Sequence, residues 1–232
     1  KRKEENQMKI SEKCKVIAAG TIVAALMAGT ALPALAISPA GCTSLAQIEE
    51  MNDDEEAQVQ ALKAAIAKVN VKYDEVQRSW QFDSPIYDKA EKNKTCCLSP
   101  WIYIFDGCKD VYFDEDFSYN GSSCIDLNTV YVRAGDNLYS YECDPDYTDY
   151  AYDTDKKVWW AFSTFEMEPS EIDWLREMLS AKTIITRYSG ASGAQYDYTW
   201  TADDRQAVTD MVNLYDLLVA ASPEVRARAL RG

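Results

Sequence analysis

The chain has 232 residues and a formal net charge of −14, because 38 aspartates and glutamates outnumber 24 lysines and arginines. A surface of this charge repels nucleic acid and anionic lipid, so neither is expected as a partner. The chain contains no histidine, which excludes Ser-His and Cys-His nucleophilic sites and imidazole metal ligands. Walker, dinucleotide and G-x-S-x-G motifs are also absent from the sequence. The sequence therefore predicts no catalytic residue, no metal ligand and no cofactor.

An uncharged apolar run at residues 16–37 indicates where the protein works. Its sequence, VIAAGTIVAALMAGTALPALAI, is about long enough to cross a bilayer as a helix. It contains Ala34-Leu35-Ala36, the small-x-small pattern that a signal peptidase cleaves, and a lysine-rich segment precedes it. We therefore expect removal after Ala36. The alternatives are an uncleaved anchor and a lipid on Cys42. All three place the remainder outside the cytoplasm, secreted or at the cell surface, with membrane contact only through the N-terminal segment.

A long helix is predicted over residues 44–78, which are rich in Glu, Ala, Gln, Lys and Leu and contain neither glycine nor proline. Thr43 or Ser44 could cap it. Apolar residues recur along it at alternating spacings of three and four, which places them on one seam. The seam consists of Val59, Leu62, Ile66, Val69, Tyr73 and Val76. It predicts either packing on the chain's own globular domain or self-association through residues 59–76 as a short coiled coil.

Strands are predicted beyond Trp80, where apolar and aromatic residues begin to alternate with polar ones. Residues 101–105 (WIYIF), 111–113 and 157–165 (KVWWAFSTF) have the composition of strands. Residues 129–142 predict a hairpin, because two alternating segments flank the turn Ala134-Gly135-Asp136-Asn137.

Two helices are predicted in the last third of the chain from capping pairs spaced three residues apart. Ser170 and Asp173 predict the start of the first helix, and Thr201 and Asp204 predict the start of the second. Residues 223–232 follow as a basic tail that is expected to be loose.

The cysteine content predicts disulfide bonds. Of the seven cysteines, Cys14 belongs to the leader. The others are Cys42, Cys96, Cys97, Cys108, Cys124 and Cys143. An even set in an oxidising compartment predicts up to three bridges, and the sequence leaves their connectivity open. Because Cys124 and Cys143 flank the predicted hairpin, a bridge between these two is favoured.

Part of the last third resembles the end of a domain in uncharacterised exported proteins and lipoproteins of Gram-positive bacteria. The resemblance is carried by TRYSG at 186–190, YDY at 196–198 and the helix opened by Thr201. In addition, PWIYIF at 100–105 is similar to that domain's early Trp-x-x-I strand. Over residues 100–220 the resemblance implies an α+β fold and an exported location, and it implies no catalytic residue.

The predicted fold class is α+β, with an antiparallel sheet and two helices in the C-terminal region, preceded by a long N-terminal helix and a hydrophobic leader. The expected organisation is a signal peptide or anchor at 1–36, a helical spacer at 37–79, a globular domain at 80–222 and the basic tail at 223–232.

The function expected from these features is non-catalytic binding at the cell surface, with an unidentified protein or glycan as partner. An acidic, tyrosine-rich loop is predicted at residues 144–155. In and after it, Tyr147, Tyr150, Tyr152 and Trp159 could stack on a glycan or anchor a protein.

Two alternative functions use carboxylates. A cell-wall glycan hydrolase needs two of them about 5 to 10 Å apart. A calcium-binding surface protein could use Asp114, Glu115 and Asp116, or the aspartates of 144–155. Neither acidic segment has the glycine that the twelve-residue calcium loop requires at its sixth position.

Overall fold

The structure of the protein, a computed structural model, describes residues 45–106 and 109–231. Every strand described below lies in one compact unit, which begins at residue 53. Within the described residues, no helix is long and apolar enough to cross a membrane. The predicted leader, Cys42 and Cys108 lie outside the described residues.

The fold is α+β, as predicted, but it contains two antiparallel sheets where the sequence predicted one. The large sheet has the order β1-β2-β3-β4-β8-β7, and the small sheet has the order β10-β9-β5-β6. The strands are β1 (Asn70–Asp74), β2 (Ser79–Asp83), β3 (Cys97–Phe105), β4 (Tyr112–Gly121), β5 (Leu127–Ala134), β6 (Asn137–Glu142), β7 (Thr148–Asp153), β8 (Val158–Glu166), β9 (Ile184–Gly190) and β10 (Gln195–Thr199). The described helices are α1 (Leu45–Ile66), α2 (Ile86–Asn93), α3 (Pro169–Ser180), α4 (Ala202–Ala220) and α5 (Pro223–Arg231).

The core lies between the two sheets and the helices that pack on them. Alternate residues of β3 and β4 are buried on one side of the large sheet, which we call the inner face: Leu98, Ile102, Ile104, Phe113, Phe117 and Tyr119. The ring of Phe117 lies 5.0 Å from that of Tyr141 on the small sheet. The Tyr188 hydroxyl of the small sheet donates to the carbonyl oxygens of Cys97 and Ser118, at 3.3 and 2.9 Å. Aromatic packing and hydrogen bonds therefore hold the two sheets together.

The local turn and cap patterns are largely confirmed. Arg133 pairs with Leu138 across the predicted hairpin, and Asp204 N–H donates to the Thr201 side chain at the start of α4. The cap of α3 differs from the prediction. This helix begins at Pro169, and the Glu171 carboxylate accepts a 2.8 Å hydrogen bond from the Glu168 N–H. The fixed backbone angle of proline suits the first helical position, so the helix begins earlier than the Ser170 pattern indicated.

The helix predicted to extend to residue 78 ends at Ile66, and the strands β1 and β2 follow it. Val59 and Leu62 are buried in the core of the chain's own domain, whereas Val76 is 94% exposed. The turn between the strands is built without glycine. The Asp74 carboxylate accepts hydrogen bonds from the backbone N–H groups of Val76 and Gln77, and Arg78 adopts a φ of 54°. The seam at 59–76 therefore combines residues of a helix and a hairpin, and self-association through it stays a prediction.

Two further segments form regular structure that the sequence did not predict. The acidic loop at 144–155 contains the edge strand β7, and the basic tail forms α5. Val225 and Ala229 of this helix are buried. The buried Arg226 donates to the carbonyl oxygens of Leu218 and Lys109, at 2.6 and 2.7 Å. The C-terminal segment is therefore part of the packed domain.

The four described cysteines, Cys96, Cys97, Cys124 and Cys143, are free, and the first two are buried. The favoured bridge between Cys124 and Cys143 is not formed. The hairpin register explains this, because the Cys143 N–H donates to the Asn128 carbonyl and thus places Asn128, four residues after Cys124, opposite Cys143. Burial raises the pKa of the Cys96 thiol to about 12 and that of Cys143 to about 11.

Candidate functional site

The side of the large sheet that faces away from the core, which we call the outer face, carries the candidate site. It is formed by alternate residues of β3, β4 and β8: Ser99, Trp101, Tyr103, Phe105, Tyr112, Asp114, Asp116, Ser118, Trp160, Phe162, Thr164 and Glu166. Most of these side chains are half-buried, whereas their neighbours on the inner face are largely buried. The sheet thus presents large aromatic side chains on a face that is not part of the core.

Helix α2 lies across one end of the outer face. Its buried residues Ile86 and Ala90 cluster with Cys97 at the start of β3. The helix ends at Asn93. The next residue, Lys94, has a left-handed backbone conformation and donates its N–H to carbonyls of the last turn. At the same end, Lys156 of the β7–β8 turn forms an ion pair with Glu91 at 2.6 Å. The β7–β8 turn therefore helps to hold α2 in place.

Aromatic rings stack at both ends of the outer face. Tyr103 and Tyr112 are parallel, with ring centroids 5.0 Å apart and an interplanar angle of 7°. Trp160 and Phe162 are also nearly parallel, at 5.9 Å and 16°. The ring of Phe105 meets both tyrosines edge-on. These contacts fix the orientation of the rings, so the face is organised before any ligand arrives.

Three carboxylates lie among these rings. Asp114 pairs with Glu166 across β4 and β8, and Asp116 accepts a 2.5 Å hydrogen bond from the Thr164 hydroxyl. Burial raises the pKa of Asp114 well above its ordinary value. The nearby charges of Glu166 and Asp116 raise it further, while a hydrogen bond from Tyr103 partly opposes the shift. Asp114 therefore keeps its proton to a higher pH than an ordinary aspartate.

Four polar atoms of the outer face have no hydrogen-bond partner in the described part of the chain, namely Ser99 Oγ, Trp101 Nε1, Asp114 Oδ1 and Ser118 Oγ. Trp101 and Asp114 are directly opposite each other in the register of β3 and β4. A donor and an acceptor thus lie side by side without satisfying each other. Each unsatisfied buried group costs about 1–3 kcal/mol, so a ligand that satisfies them recovers that cost.

The structure brings together three of the four aromatic residues that the sequence singled out. Tyr150 and Tyr152 are 48% and 47% exposed on β7, and the ring of Tyr152 lies 5.3 Å from that of Trp159. These three residues, which we call the edge patch, are on the inner-face side of the sheet edge. Tyr147 comes just before β7, and its carbonyl accepts from the Thr164 N–H. Strand alternation places Tyr147 on the outer-face side.

The acidic segments do not converge. Asp114 and Asp116 are on the outer face, whereas Glu115 between them is fully buried on the inner face. In the other segment, Asp144 and Asp153 accept hydrogen bonds from backbone N–H groups of their own turns. Among the described residues, no group of three Cys, Asp or Glu side chains could hold a metal ion. The described acidic residues therefore give no support to the calcium hypothesis.

Sequence reasoning missed Trp101 as a site residue and considered Asp114 only as a calcium ligand. Alternation within WIYIF at 101–105 and YFDEDF at 112–117 could have placed the two residues on a non-core face. Their pairing depends on the register between β3 and β4, and no local pattern encodes that register.

Comparison with known proteins assigns no family. No family model and no curated protein matches the chain. A solved structure of a protein of unknown function from Burkholderia pseudomallei is 13% identical, with a TM-score of 0.23. The match covers 75% of this chain and 98% of that one, and a TM-score this low carries no argument. The resemblance to exported proteins of Gram-positive bacteria therefore stays a prediction.

Proposed function

We propose that this chain is an exported, non-catalytic binding domain that contacts a cell-surface protein or glycan through the outer face. The observation that carries the proposal is the pair of ring stacks, Tyr103 with Tyr112 and Trp160 with Phe162, on one face of the large sheet. Aromatic rings provide a large contact area and lose little conformational freedom on binding. The exported location rests on the apolar run at 16–37.

The charge of the outer face restricts the partner. On β3, β4 and β8 this face carries Asp114, Asp116 and Glu166, and it carries neither lysine nor arginine. Such a face repels an anionic partner. A neutral or cationic partner at the cell surface fits this charge, and the net charge of −14 for the whole chain acts in the same direction.

The test is binding of the fluorescently labelled full chain to cell-envelope fragments from the source organism. We expect the double variant Trp160→Ser and Phe162→Ser to lose most of the binding. Tyr196→Ser is the matched control, because Tyr196 is 42% exposed on the small sheet. A second variant, Tyr150→Ser with Tyr152→Ser, tests the edge patch. Unchanged binding by the outer-face variant, with circular dichroism showing an intact fold, would refute the proposal.

A second candidate function is a carboxylate-based glycan hydrolase, which the raised pKa of Asp114 favours. Asp114 would donate a proton to the glycosidic oxygen. Glu166, opposite it across the strands, would attack the sugar carbon or activate water. In this case purified chain would release shorter oligosaccharides from cell-wall glycan, and both Asp114→Asn and Glu166→Gln would abolish release. Binding without release by the unsubstituted chain supports the non-catalytic proposal.

A further inference from the structure

We infer that the ligand of the outer face is a neutral glycan chain, held by hydrogen bonds from its hydroxyl groups to Trp101 and Asp114 and by stacking on the flanking rings. This inference rests on the proposed function and names its ligand class. Sugar hydroxyl groups complement the unpartnered polar atoms of Trp101 and Asp114. Trp101 Nε1 needs an acceptor and Asp114 Oδ1 needs a donor, and a sugar hydroxyl supplies both.

The two groups are placed to meet one sugar ring. Trp101 and Asp114 are register partners on neighbouring strands, and the Cα atoms of such partners are about 4.5–5.5 Å apart. Neighbouring hydroxyls on a single ring can therefore reach both side chains. Both residues are half-buried, but the unpartnered atoms themselves are buried, so the inference requires the two side chains to rotate toward solvent when the ligand binds.

The ring stacks lie at the two ends of this hydrogen-bonding pair along the strands. Tyr112 stacks with Tyr103 at one end, and Ser118, six residues further along β4, pairs with Phe162 at the other. Six residues of strand span roughly 20 Å, which is enough for several sugar rings. Pyranose rings with equatorial substituents present a flat C–H face that packs on aromatic rings. Helix α2 packs on Cys97, the register partner of Ser118, so an extended chain that uses both stacks must pass beside this helix.

The charge of the face distinguishes among glycans. Asp116 and Glu166 repel uronic acids and phosphate-bearing polymers. A neutral glycan avoids this repulsion, because it places only hydroxyl and amide groups beside these side chains. Its hydroxyl groups still form hydrogen bonds with Trp101 and Asp114. A protein partner would also cover the aromatic rings. A glycan differs because every sugar ring carries closely spaced hydroxyl groups that both donate and accept hydrogen bonds.

The test is calorimetric titration of the full chain with four β-1,4-linked hexamers of different charge. Two are neutral, made of glucose and of N-acetylglucosamine. One is cationic, made of glucosamine, and one carries a carboxylate on every ring. We expect at least one neutral hexamer to bind and the carboxylated hexamer not to bind, while the cationic hexamer measures how much the carboxylates add by charge attraction.

Matched variants locate the binding. Trp101→Phe keeps the ring and removes the N–H, so the affinity for the neutral hexamer should fall about tenfold. Trp174→Phe, in α3 and away from the outer face, should leave it unchanged. Asp114→Ala removes the acceptor oxygen and should weaken binding several-fold, while Asp136→Ala, in the exposed β5–β6 turn, should not.

The failure of this inference is distinguishable from the failure of the proposed function. If neither neutral hexamer binds, but envelope binding still depends on Trp160 and Phe162, the ligand class is wrong and the proposed function stands. If the outer-face variant binds envelope as well as the unsubstituted chain and no hexamer binds, both are wrong. Binding of the carboxylated hexamer as tightly as the neutral ones, or an affinity that Trp101→Phe leaves unchanged, overturns the inference alone.

Discussion

Glu115 and Tyr141 approach each other from different sheets in the core, and neither polar group has a hydrogen-bond partner in the described structure. Glu115 is fully buried, and Tyr141 is 5% exposed. Burial, with smaller effects from Glu171 and Asp116, raises the pKa of Glu115 well above its ordinary value. Burial and the charge of Glu115 likewise raise the pKa of Tyr141. The folded protein therefore holds the Glu115 proton to a higher pH than the unfolded chain does.

This buried acid predicts a stability that falls as the pH rises. In the unfolded chain Glu115 ionises near its ordinary value of 4.5, whereas the folded protein keeps the proton to a higher pH. The contribution of Glu115 to the free energy of unfolding is therefore fully present below pH 4.5 and is lost as the pH rises through the folded pKa. We expect Glu115→Gln to have little effect at pH 4 and to stabilise the protein by at least about 1 kcal/mol at pH 8. Urea unfolding at both pH values measures this.

The control for that measurement is Glu224→Gln, because Glu224 is exposed in α5. It should leave the difference between pH 4 and pH 8 unchanged. If Glu115→Gln and Glu224→Gln show the same pH dependence as the unsubstituted chain, the pKa of Glu115 is not raised by folding.

Arg226 should contribute strongly to stability. Its guanidinium is buried and donates to the backbone carbonyls of Leu218 and Lys109. Arg226→Ala leaves these carbonyls without their charged donor, so we expect a loss of about 2–3 kcal/mol in the free energy of unfolding. Arg228→Ala removes only exposed ion pairs with Glu55 and Glu56 and should cost less than about 1 kcal/mol. Equal effects in urea unfolding would contradict the packed position of α5.

The helix caps can be compared by two matched substitutions. Thr201→Ala removes the side chain that caps α4 and should destabilise the protein by about 1 kcal/mol. Ser170→Ala should change the stability by less than about 0.5 kcal/mol, because Ser170 is exposed and α3 is capped through Glu168 and Glu171. Thermal unfolding of the two variants measures the difference. A larger effect at Ser170 would restore the cap predicted from the sequence.

The sequence predicted those parts of the fold that depend on neighbouring residues. The turn between Arg133 and Leu138 and the cap at Thr201 are local, and both are confirmed. The β1–β2 turn has no glycine and is built on the Asp74 carboxylate and a left-handed Arg78. The sequence therefore lacked the glycine that usually marks a turn. The apolar residues kept their spacing of three and four past the end of the helix by coincidence.

The candidate site depends on contacts between distant residues, and this limited its prediction. Tyr150, Tyr152 and Trp159 are close in sequence, and they do cluster. Trp101 and Asp114 meet only because β3 and β4 pair in one register. In the same way, the register of β5 and β6 places Asn128 opposite Cys143 and leaves Cys124 beyond the pair. Strand register sets these relationships, and residue types alone do not specify it.

The most direct test of the central claim compares envelope binding by the unsubstituted chain, by the double variant Trp160→Ser and Phe162→Ser, and by Tyr196→Ser. Binding through the outer face predicts that the first and third bind alike and that the double variant loses at least about tenfold in affinity. If all three folded proteins bind with the same affinity, the outer face is not the binding surface and the account is contradicted.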